Sequence, residues 1–466
     1  MQNQIGWGLA FLSLCYLGRP AAAAPLPHTF TADMTRQIDA IANGQVRADT
    51  TPGLAIGVIE DGRIVFAHGY GLRDAAQKLP AGAGTQFYIG QITRQFTAAA
   101  VLLLAQDKQL SLDDKISKYI PELTISPNVT ITELLQQTSG LPELDKAPGI
   151  NPDPTTPIKP ADLLKALDQL QPAADPGAKF SDNNLNYYLA GLIIERVSTL
   201  PLSDYLAKHI FEPLVMNQTF YAGDQGISNA HAIGYTGSPH HLHPARAYDP
   251  SRMLGSEGLV STVYDLAKWD IALPILLNID SVRTMFTPST PSSAAPYGMG
   301  WTIDQRSGHR YVWQNGRIAG YHAMNAALPD DHIAVIVLTN TDDFNGPTVQ
   351  PEALAAQILD VVAPPTAAHV GNAIAARAKD WLARLTLDDI DRTQLTPAFS
   401  TYLTDELVAK TNLRSLGKLI SLTPVASYAA NGDEVYEFLA QFEKITYHYK
   451  MSISTSGKID SLVFVP

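Results

Sequence analysis

The chain has 466 residues, 45% of them apolar, which is enough to bury the cores of two or three domains. Its formal net charge of -12 and its lack of Lys and Arg runs exclude nucleic acid as a partner, because nothing in it would displace phosphate counterions. Its single cysteine, Cys15, excludes disulfides and sulfur-based zinc sites from the rest of the chain.

The N-terminal segment is apolar over residues 5–17 and is followed by a run of alanines at 21–24. A short apolar run before small residues is typical of a signal peptide, which we assign to residues 1–24. The run is shorter than the ~20 apolar residues that a membrane-spanning helix needs, and no later segment reaches that length. We therefore expect an exported protein, periplasmic or secreted, with no transmembrane segment in the mature chain.

The next predicted elements form an antiparallel sheet and a buried helix. Segments 54–60 and 63–69 alternate around the turn pair Asp61-Gly62, and this pattern predicts a β-hairpin. Segment 91–106 is apolar on nearly every face after its first turn, which predicts a helix inside a core. Shorter helices are predicted at 132–137, 161–170, 185–198, 264–272 and 351–362, and strands at 311–314, 321–328 and 333–339. Strands at both ends favour one sheet with an inserted helical region.

The C-terminal tail has a pattern of its own after the proline-rich segment 363–371. A helix is predicted at 373–385, and strands are predicted at 421–428, 434–442, 446–455 and 458–464. A unit of about 95 residues can fold alone. We therefore predict two domains after the signal peptide, a main domain at 25–363 and a small α+β domain at 372–466, and we find no catalytic constellation in the small one.

The segment Phe87-Tyr88-Ile89-Gly90-Gln91-Ile92-Thr93-Arg94 resembles the Ser-x-x-Lys region of the serine β-lactamase and penicillin-binding protein superfamily, in the branch of class C β-lactamases, D-peptidases and related esterases. The likeness runs in order over roughly residues 50–362. Further matching segments are Leu110-Ser111-Leu112-Asp113-Asp114, Thr138-Ser139-Gly140-Leu141-Pro142, Phe211-Glu212-Pro213-Leu214, Gly258-Leu259-Val260-Ser261-Thr262, Tyr297-Gly298-Met299-Gly300-Trp301 and Gly320-Tyr321. The resemblance implies a mixed α/β (α+β) fold, in which helices flank an antiparallel sheet and a helical region forms the other wall of a pocket.

The positions that match the family's nucleophile and base hold Gln91 and Arg94. A spacing of three places both side chains on one face of a helix. An amide is not a nucleophile, and a guanidinium with a pKa above about 12 does not accept a proton at neutral pH. Thr93 carries the nearest hydroxyl, but it lies about 160° around the helix from position 91, so we expect it to face away.

The family's other two motifs are also altered. Its Tyr-x-Asn motif falls on Asp182-Asn183-Asn184, which retains the amide as Asn184 but replaces the phenol with a carboxylate. Its third motif falls on Gln314-Asn315-Gly316, where Gln314 brings no charge and Gly316 leaves room for a substrate backbone. The resemblance implies that this strand still offers a backbone N–H to an oxyanion. We predict that an ion pair between Arg94 and Asp182 replaces the family's Lys and Tyr network.

These substitutions predict a binding pocket without the family's acyl-transfer activity. Its predicted lining residues are Gln91, Arg94, Asp182, Asn184, Gln314 and Gly316. We expect a pseudoenzyme that binds a peptide, a muropeptide or a partner protein. Arg94 favours an anionic group on that ligand, unless Asp182 already neutralises it.

The alternative is a serine hydrolase that acts on esters, D-peptides or lactams by rearranged chemistry. Ser256 with His322 as its base is the pair that such a mechanism would use. No cofactor is expected. The histidines at 231, 240, 241 and 243 lack a carboxylate at ligand spacing, so we predict a solvated loop and no metal site.

Overall fold

A computed structural model describes residues 29–46, 50–223, 231–238, 240–289, 296–342, 350–364, 370–387, 389–404, 407, 413–430, 432–443 and 445–465. The predicted signal peptide at 1–24 lies outside the described residues. The chain divides into two compact units, one formed by 1–304 with 310–358 and the other by 305–309 with 359–466.

The strands are β1 (Gly53–Glu60), β2 (Arg63–Asp74), β3 (Leu79–Pro80), β4 (Phe87–Tyr88), β5 (Phe220–Tyr221), β6 (Tyr235–Thr236), β7 (His243–Pro244), β8 (Leu259–Ser261), β9 (Thr302–Arg306), β10 (His309–Ile318), β11 (Tyr321–Leu328), β12 (Ile333–Thr339), β13 (Leu419–Ala430), β14 (Asp433–Phe442), β15 (Thr446–Ile453) and β16 (Ile459–Val465). The helices are α1 (Ala32–Gln45), α2 (Thr93–Gln106), α3 (Ile131–Leu135), α4 (Pro160–Leu167), α5 (Asn184–Ser198), α6 (Leu202–Leu206), α7 (Val263–Leu276), α8 (Ile279–Met285), α9 (Pro351–Val362), α10 (Asn372–Leu387) and α11 (Pro397–Tyr402). None of the helices in the described part of the chain has the length and apolarity to cross a bilayer.

A seven-stranded sheet with the order β3-β2-β1-β12-β11-β10-β9 forms the centre of the first unit. Strands β1 and β2 pair as a hairpin within this sheet. Strand β1 also pairs antiparallel with β12, and Leu54 lies opposite Thr339. Every residue of β1 and β12 is buried, because helix α7 packs against both strands and other elements cover their second face. The prediction of a mixed α/β fold with one antiparallel sheet built from both ends of the domain is confirmed.

A second, three-stranded sheet brings distant segments to the start of α2. Strand β8 lies between β4 and β5, with Phe87 opposite Ser261. The backbone N–H of Ile89 also donates to Leu259 O at 3.0 Å. The start of α2 therefore lies directly beside the residues that precede β8.

The second unit contains a four-stranded antiparallel sheet, β13-β14-β15-β16, with helices α10 and α11. Trp381, Phe438 and Tyr449 are fully buried in its core. The turn 305–309 also belongs to this unit: Ser307 N–H donates to Glu437, and Arg306 pairs with Asp360 at 3.0 Å. These residues fall outside the segment 372–466 that we predicted for the small domain. A sequence pattern does not show which of two cores a turn packs against, so the prediction did not include them.

Further differences from the predicted elements concern the start of α2 and the strands β9 and β10. The helix predicted at 91–106 begins with a 3-10 turn, Gly90–Ile92, and α2 itself starts at Thr93. Strand β9 was not predicted, and β10 is longer than the predicted 311–314, because their polar residues obscure the apolar alternation.

Candidate functional site

The backbone around Gly90 and Gly316 brings the start of α2 into direct contact with β10. Gly90 has a φ of +51°, and a Cβ at Gly316 would lie 1.9 Å from Ile89 O. Glycine is therefore required at Gly316, because any side chain would collide with backbone. The room that we expected for a substrate backbone at Gly316 is occupied by the protein's own chain at Ile89.

Gln91 bridges β10 and a buried carboxylate. Its Oε1 accepts the backbone N–H of Arg317 at 2.7 Å, and its Nε2 donates to Glu257 Oε1. The backbone N–H that we expected β10 to offer to an oxyanion is thus already satisfied by the side chain at the nucleophile position. Both ends of the Gln91 amide are engaged, which holds it in place.

Arg94 lies one turn along the same face and is almost completely buried, with its side chain 2% exposed. One terminal nitrogen donates to Asp182 Oδ1 at 2.7 Å, and the other donates to Asn184 Oδ1 at 2.5 Å. Burial acts to lower the pKa of Arg94, but the negative charge of Asp182 outweighs it and the net pKa lies above its usual value. The predicted ion pair is therefore present, and Arg94 stays protonated.

Glu257 completes the cluster, although the sequence analysis did not select it. It is 7% exposed, and its Oε1 accepts from Gln91 and from Asn184 Nδ2, the latter at 2.8 Å. Burial raises the pKa of Glu257, while the charge of Arg94 opposes that shift. The preceding residue, Ser256, was the one considered for the alternative mechanism. The carboxylate occupies the site instead.

Gln314 reaches this cluster through Tyr297. The Tyr297 hydroxyl donates to Gln314 Oε1 at 3.2 Å, and it lies close enough to Arg94 for the guanidinium charge to act on its pKa. The Gln314 amide nitrogen donates to Asn315 O at 2.8 Å. Burial raises the pKa of Tyr297 to about 12, so its phenol is neutral at physiological pH. Gln314 is 3% exposed, so it supports Tyr297 from within the protein interior.

The turn that carries Asp182 is held by the segment before it. Gln137 Oε1 accepts the N–H of Asn183 at 3.2 Å, and its Nε2 donates to Asp182 Oδ1 at 3.4 Å. Asn183 caps α5 by accepting from Leu185 N, and its Nδ2 donates to Leu141 O at 3.0 Å. These bonds fix Asp182 and Asn184 on either side of a cap, so both point at Arg94.

The structure does not bring Ser256 and His322 together as a relay. The Ser256 hydroxyl donates to Met253 O at 3.1 Å, whereas His322 Nε2 lies 2.9 Å from Glu352. Successive residues of a strand point to opposite faces, and His322 shares with Asn315 the face that meets α9. The structure therefore gives no support to a relay between Ser256 and His322.

Two other expectations concern Thr93 and metal binding. Thr93 Oγ1 accepts the N–H of Leu259 at 3.1 Å, so it faces away from Gln91. His231 Nε2 lies 3.0 Å from the Tyr321 hydroxyl. Over the described residues, no three His, Cys, Asp or Glu side chains are grouped so that they would hold a metal ion.

The assembled cluster consists of amides, one guanidinium and two carboxylates. Neither Gln91 nor Arg94 can attack a carbonyl or accept a proton at neutral pH. Glu257 is a proton-accepting group, but its Oε1 receives two hydrogen bonds. The arrangement is suited to holding polar groups of a ligand.

The chain is similar to several known proteins. The sequence model of the family described as Beta-lactamase matches residues 38–360. The protein Flp of Staphylococcus aureus strain MW2 is 27% identical over 328 residues, which cover 66% of this chain and 64% of Flp. This chain therefore spans less than two thirds of that relative's length.

Two solved structures share the fold. An octameric penicillin-binding protein homologue from Pyrococcus abyssi aligns with a TM-score of 0.60 and 21% identity over 93% of this chain and 97% of that one. The D-amino acid amidase from Ochrobactrum anthropi SV3, complexed with L-phenylalanine amide, aligns with a TM-score of 0.64 and 21% identity over 71% and 99%. Because the family's sequence model spans well over half of the residues, this chain belongs to the β-lactamase family.

Proposed function

We propose that this chain is a catalytically inactive member of the β-lactamase family that binds a peptide, a muropeptide or a partner protein. The observation that carries the proposal is the state of Gln91, whose side chain stands at the nucleophile position and is hydrogen-bonded at both ends. In a serine protease, removal of the nucleophile alone lowers turnover roughly a million-fold. The position of the family's base is altered as well: it holds Arg94, which stays protonated and therefore cannot accept a proton.

The order of the site supports binding. Gln91, Arg94, Asp182, Asn184 and Glu257 form one continuous hydrogen-bonded network. A preorganised polar wall lowers the conformational entropy that a ligand has to remove on binding. Two structural neighbours, a penicillin-binding protein homologue and a D-amino acid amidase, also point towards peptide-like ligands.

The test is reactivity of the purified full chain towards a fluorescent penicillin, a chromogenic cephalosporin and a nitrophenyl ester. We expect no covalent labelling and no turnover above background. The matched control is Gln91→Ala, which removes the bridging amide without adding a nucleophile and should also be silent. Turnover by the natural chain that disappears in Glu257→Gln would contradict the proposal and would support a hydrolase with rearranged chemistry.

We also propose that the protein is exported. The support is the sequence of residues 1–24, with an apolar run ahead of alanines. Expression with the natural N-terminus in a Gram-negative bacterium, followed by fractionation and intact mass measurement, should give an extracytoplasmic chain that has been shortened near residues 21–24. A full-length chain retained in the cytoplasm would overturn this part of the proposal.

A further inference from the structure

The positive charge of Arg94 is not available to a ligand. Its two terminal nitrogens are bonded to Asp182 and Asn184, and its side chain is 2% exposed. The Arg317 N–H, which would attract a carbonyl or a carboxylate, is occupied by Gln91. The expectation that Arg94 favours an anionic group on the ligand therefore loses its basis.

The negative groups of the site are less fully satisfied. The hydrogen bonds to Glu257 both end on Oε1, and those to Asp182 both end on Oδ1. Across the described parts of the chain, no donor bonds to Glu257 Oε2 or to Asp182 Oδ2. Glu257 is only 7% exposed, but its second oxygen is not fully buried, so it is an acceptor that a ligand can reach.

The charge balance points in the same direction. With Glu257 ionised, the two carboxylates exceed the single guanidinium, and the site carries one net negative charge. The side chain of Arg317 does not change this balance, because strand alternation places it with Asn315 on the opposite face of β10. The uncompensated charge lies at Glu257, whose bonded neighbours Gln91 and Asn184 are both neutral.

We infer that this site binds a primary ammonium group of its ligand, at the carboxylates of Asp182 and Glu257. This inference rests on the proposed binding function and names the chemistry that the pocket recognises. A primary ammonium has three N–H donors and one positive charge, so it can bond to an open carboxylate oxygen and restore neutrality. A carboxylate at the same place would meet like charge without an open cationic partner.

The experiment uses three probes that share one alkyl chain: hexylammonium, hexanoate and hexanol. Binding to the purified full chain is measured by ligand-observed NMR titration at about pH 9, which favours ionisation of Glu257 in spite of its raised pKa and still keeps the amine protonated. We expect hexylammonium to bind at least about tenfold more tightly than either of the other two. Hexyltrimethylammonium, which keeps the charge but has no N–H donor, should bind more weakly than hexylammonium.

The variants locate the site. Glu257→Gln keeps an oxygen that can accept from Asn184 but removes the charge, and it should abolish the preference for hexylammonium. Asp182→Asn provides a second test at an exposed side chain should Glu257→Gln fail to fold. Asp280→Asn removes one negative charge from an exposed surface of α8 and should leave the preference unchanged.

Three results would overturn the inference: equal binding of the three probes, tighter binding of hexanoate, or no measurable binding of hexylammonium. An unchanged preference in both Glu257→Gln and Asp182→Asn would do the same. Failure of this inference can be distinguished from failure of the proposed function. Turnover of the ester or lactam substrates would disprove inactivity while leaving the ammonium preference intact, and a silent protein without this preference would contradict the inference alone.

Discussion

Arg94 and Asp182 form an ion pair across 2.7 Å in which the guanidinium is 2% exposed and the carboxylate is 61% exposed. Removal of the partner therefore has different consequences for the two side chains. Asp182 alone would be hydrated, whereas Arg94 alone would be a buried charge left with neutral neighbours such as Asn184 and the Tyr187 ring. The pair thus acts chiefly to make a buried cation tolerable at the position of the family's base.

We predict that Asp182→Ala lowers the free energy of unfolding of the first unit by about 2–4 kcal/mol, near the lower end of the range for breaking a buried pair. Urea unfolding followed by fluorescence provides the measurement. Asp280→Ala is the matched control, because Asp280 and Arg283 are both exposed and their pair is worth less than about 1 kcal/mol. Equal effects of the two substitutions would show that Asp182 does not stabilise Arg94.

The acidic residues around position 94 also affect any attempt to restore catalysis. In Gln91→Ser with Arg94→Lys, the new ammonium would lie beside Asp182, and a nearby carboxylate favours the charged form of an amine. We therefore expect this double variant to be labelled poorly by a fluorescent penicillin. Adding Asp182→Tyr removes the carboxylate and should speed labelling at least about tenfold. Equal labelling rates of the double and triple variants would contradict this reasoning.

The contact between β10 and the turn before α2 predicts a steric effect. Gly316→Ala places a Cβ 1.9 Å from Ile89 O, and the neighbour is backbone that cannot turn aside. We expect a loss of about 1–3 kcal/mol or more in the free energy of unfolding, together with disruption of the Gln91 bond to Arg317. Gly82→Ala is the control, because a Cβ there meets nothing within 4 Å. Comparable unfolding midpoints for the two variants would count against the close packing.

Asp270 predicts a pH dependence of stability. Burial raises the pKa of Asp270 from 3.8 to about 7, and its Oδ2 has no hydrogen-bond partner in the described part of the protein. A carboxyl whose folded pKa is raised binds more protons when folded, so its contribution to stability is present below about pH 4 and is lost as pH rises towards 7. Between pH 5 and pH 8 this loss is about 2–3 kcal/mol.

Asp270→Asn should remove that loss, because an amide does not ionise and its Oδ1 can still accept from Asn325. The variant should therefore gain stability over the natural chain at pH 8 and little at pH 5. Urea unfolding at both pH values provides the measurement. A constant difference between the two chains across this range would show that Asp270 does not titrate with a raised pKa.

The elements that were predicted well are those whose signal is local. The β1–β2 hairpin follows from alternation on both sides of Asp61-Gly62, and both turn residues have the positive φ that a tight hairpin turn requires. The predicted pair of Arg94 and Asp182 rested on two motifs of one family. Strand β9 has a mixed polar sequence without a clear period, so nothing local distinguished it from a loop.

Glu257 shows why part of the site was not predictable. It is 166 residues away from Gln91 along the chain, and it reaches Gln91 because β8 pairs with β4 just before the head of α2. Its own segment has no pattern that sets the carboxylate apart from Ser256. The Ser256 hydroxyl, which we considered only for the alternative mechanism, bonds to Met253 O, while the Glu257 carboxylate accepts from Asn184.

The sequence by itself determined that the nucleophile and base positions hold an amide and a guanidinium three residues apart, because the functional group of a side chain is fixed by the residue type. Only the tertiary structure decided the direction of the Gln91 amide, the neutralisation of Arg94 and the open oxygens of Glu257 and Asp182. These depend on hydrogen bonds between segments far apart in sequence. The energy of such bonds is set by burial, and burial is a property of the packed chain.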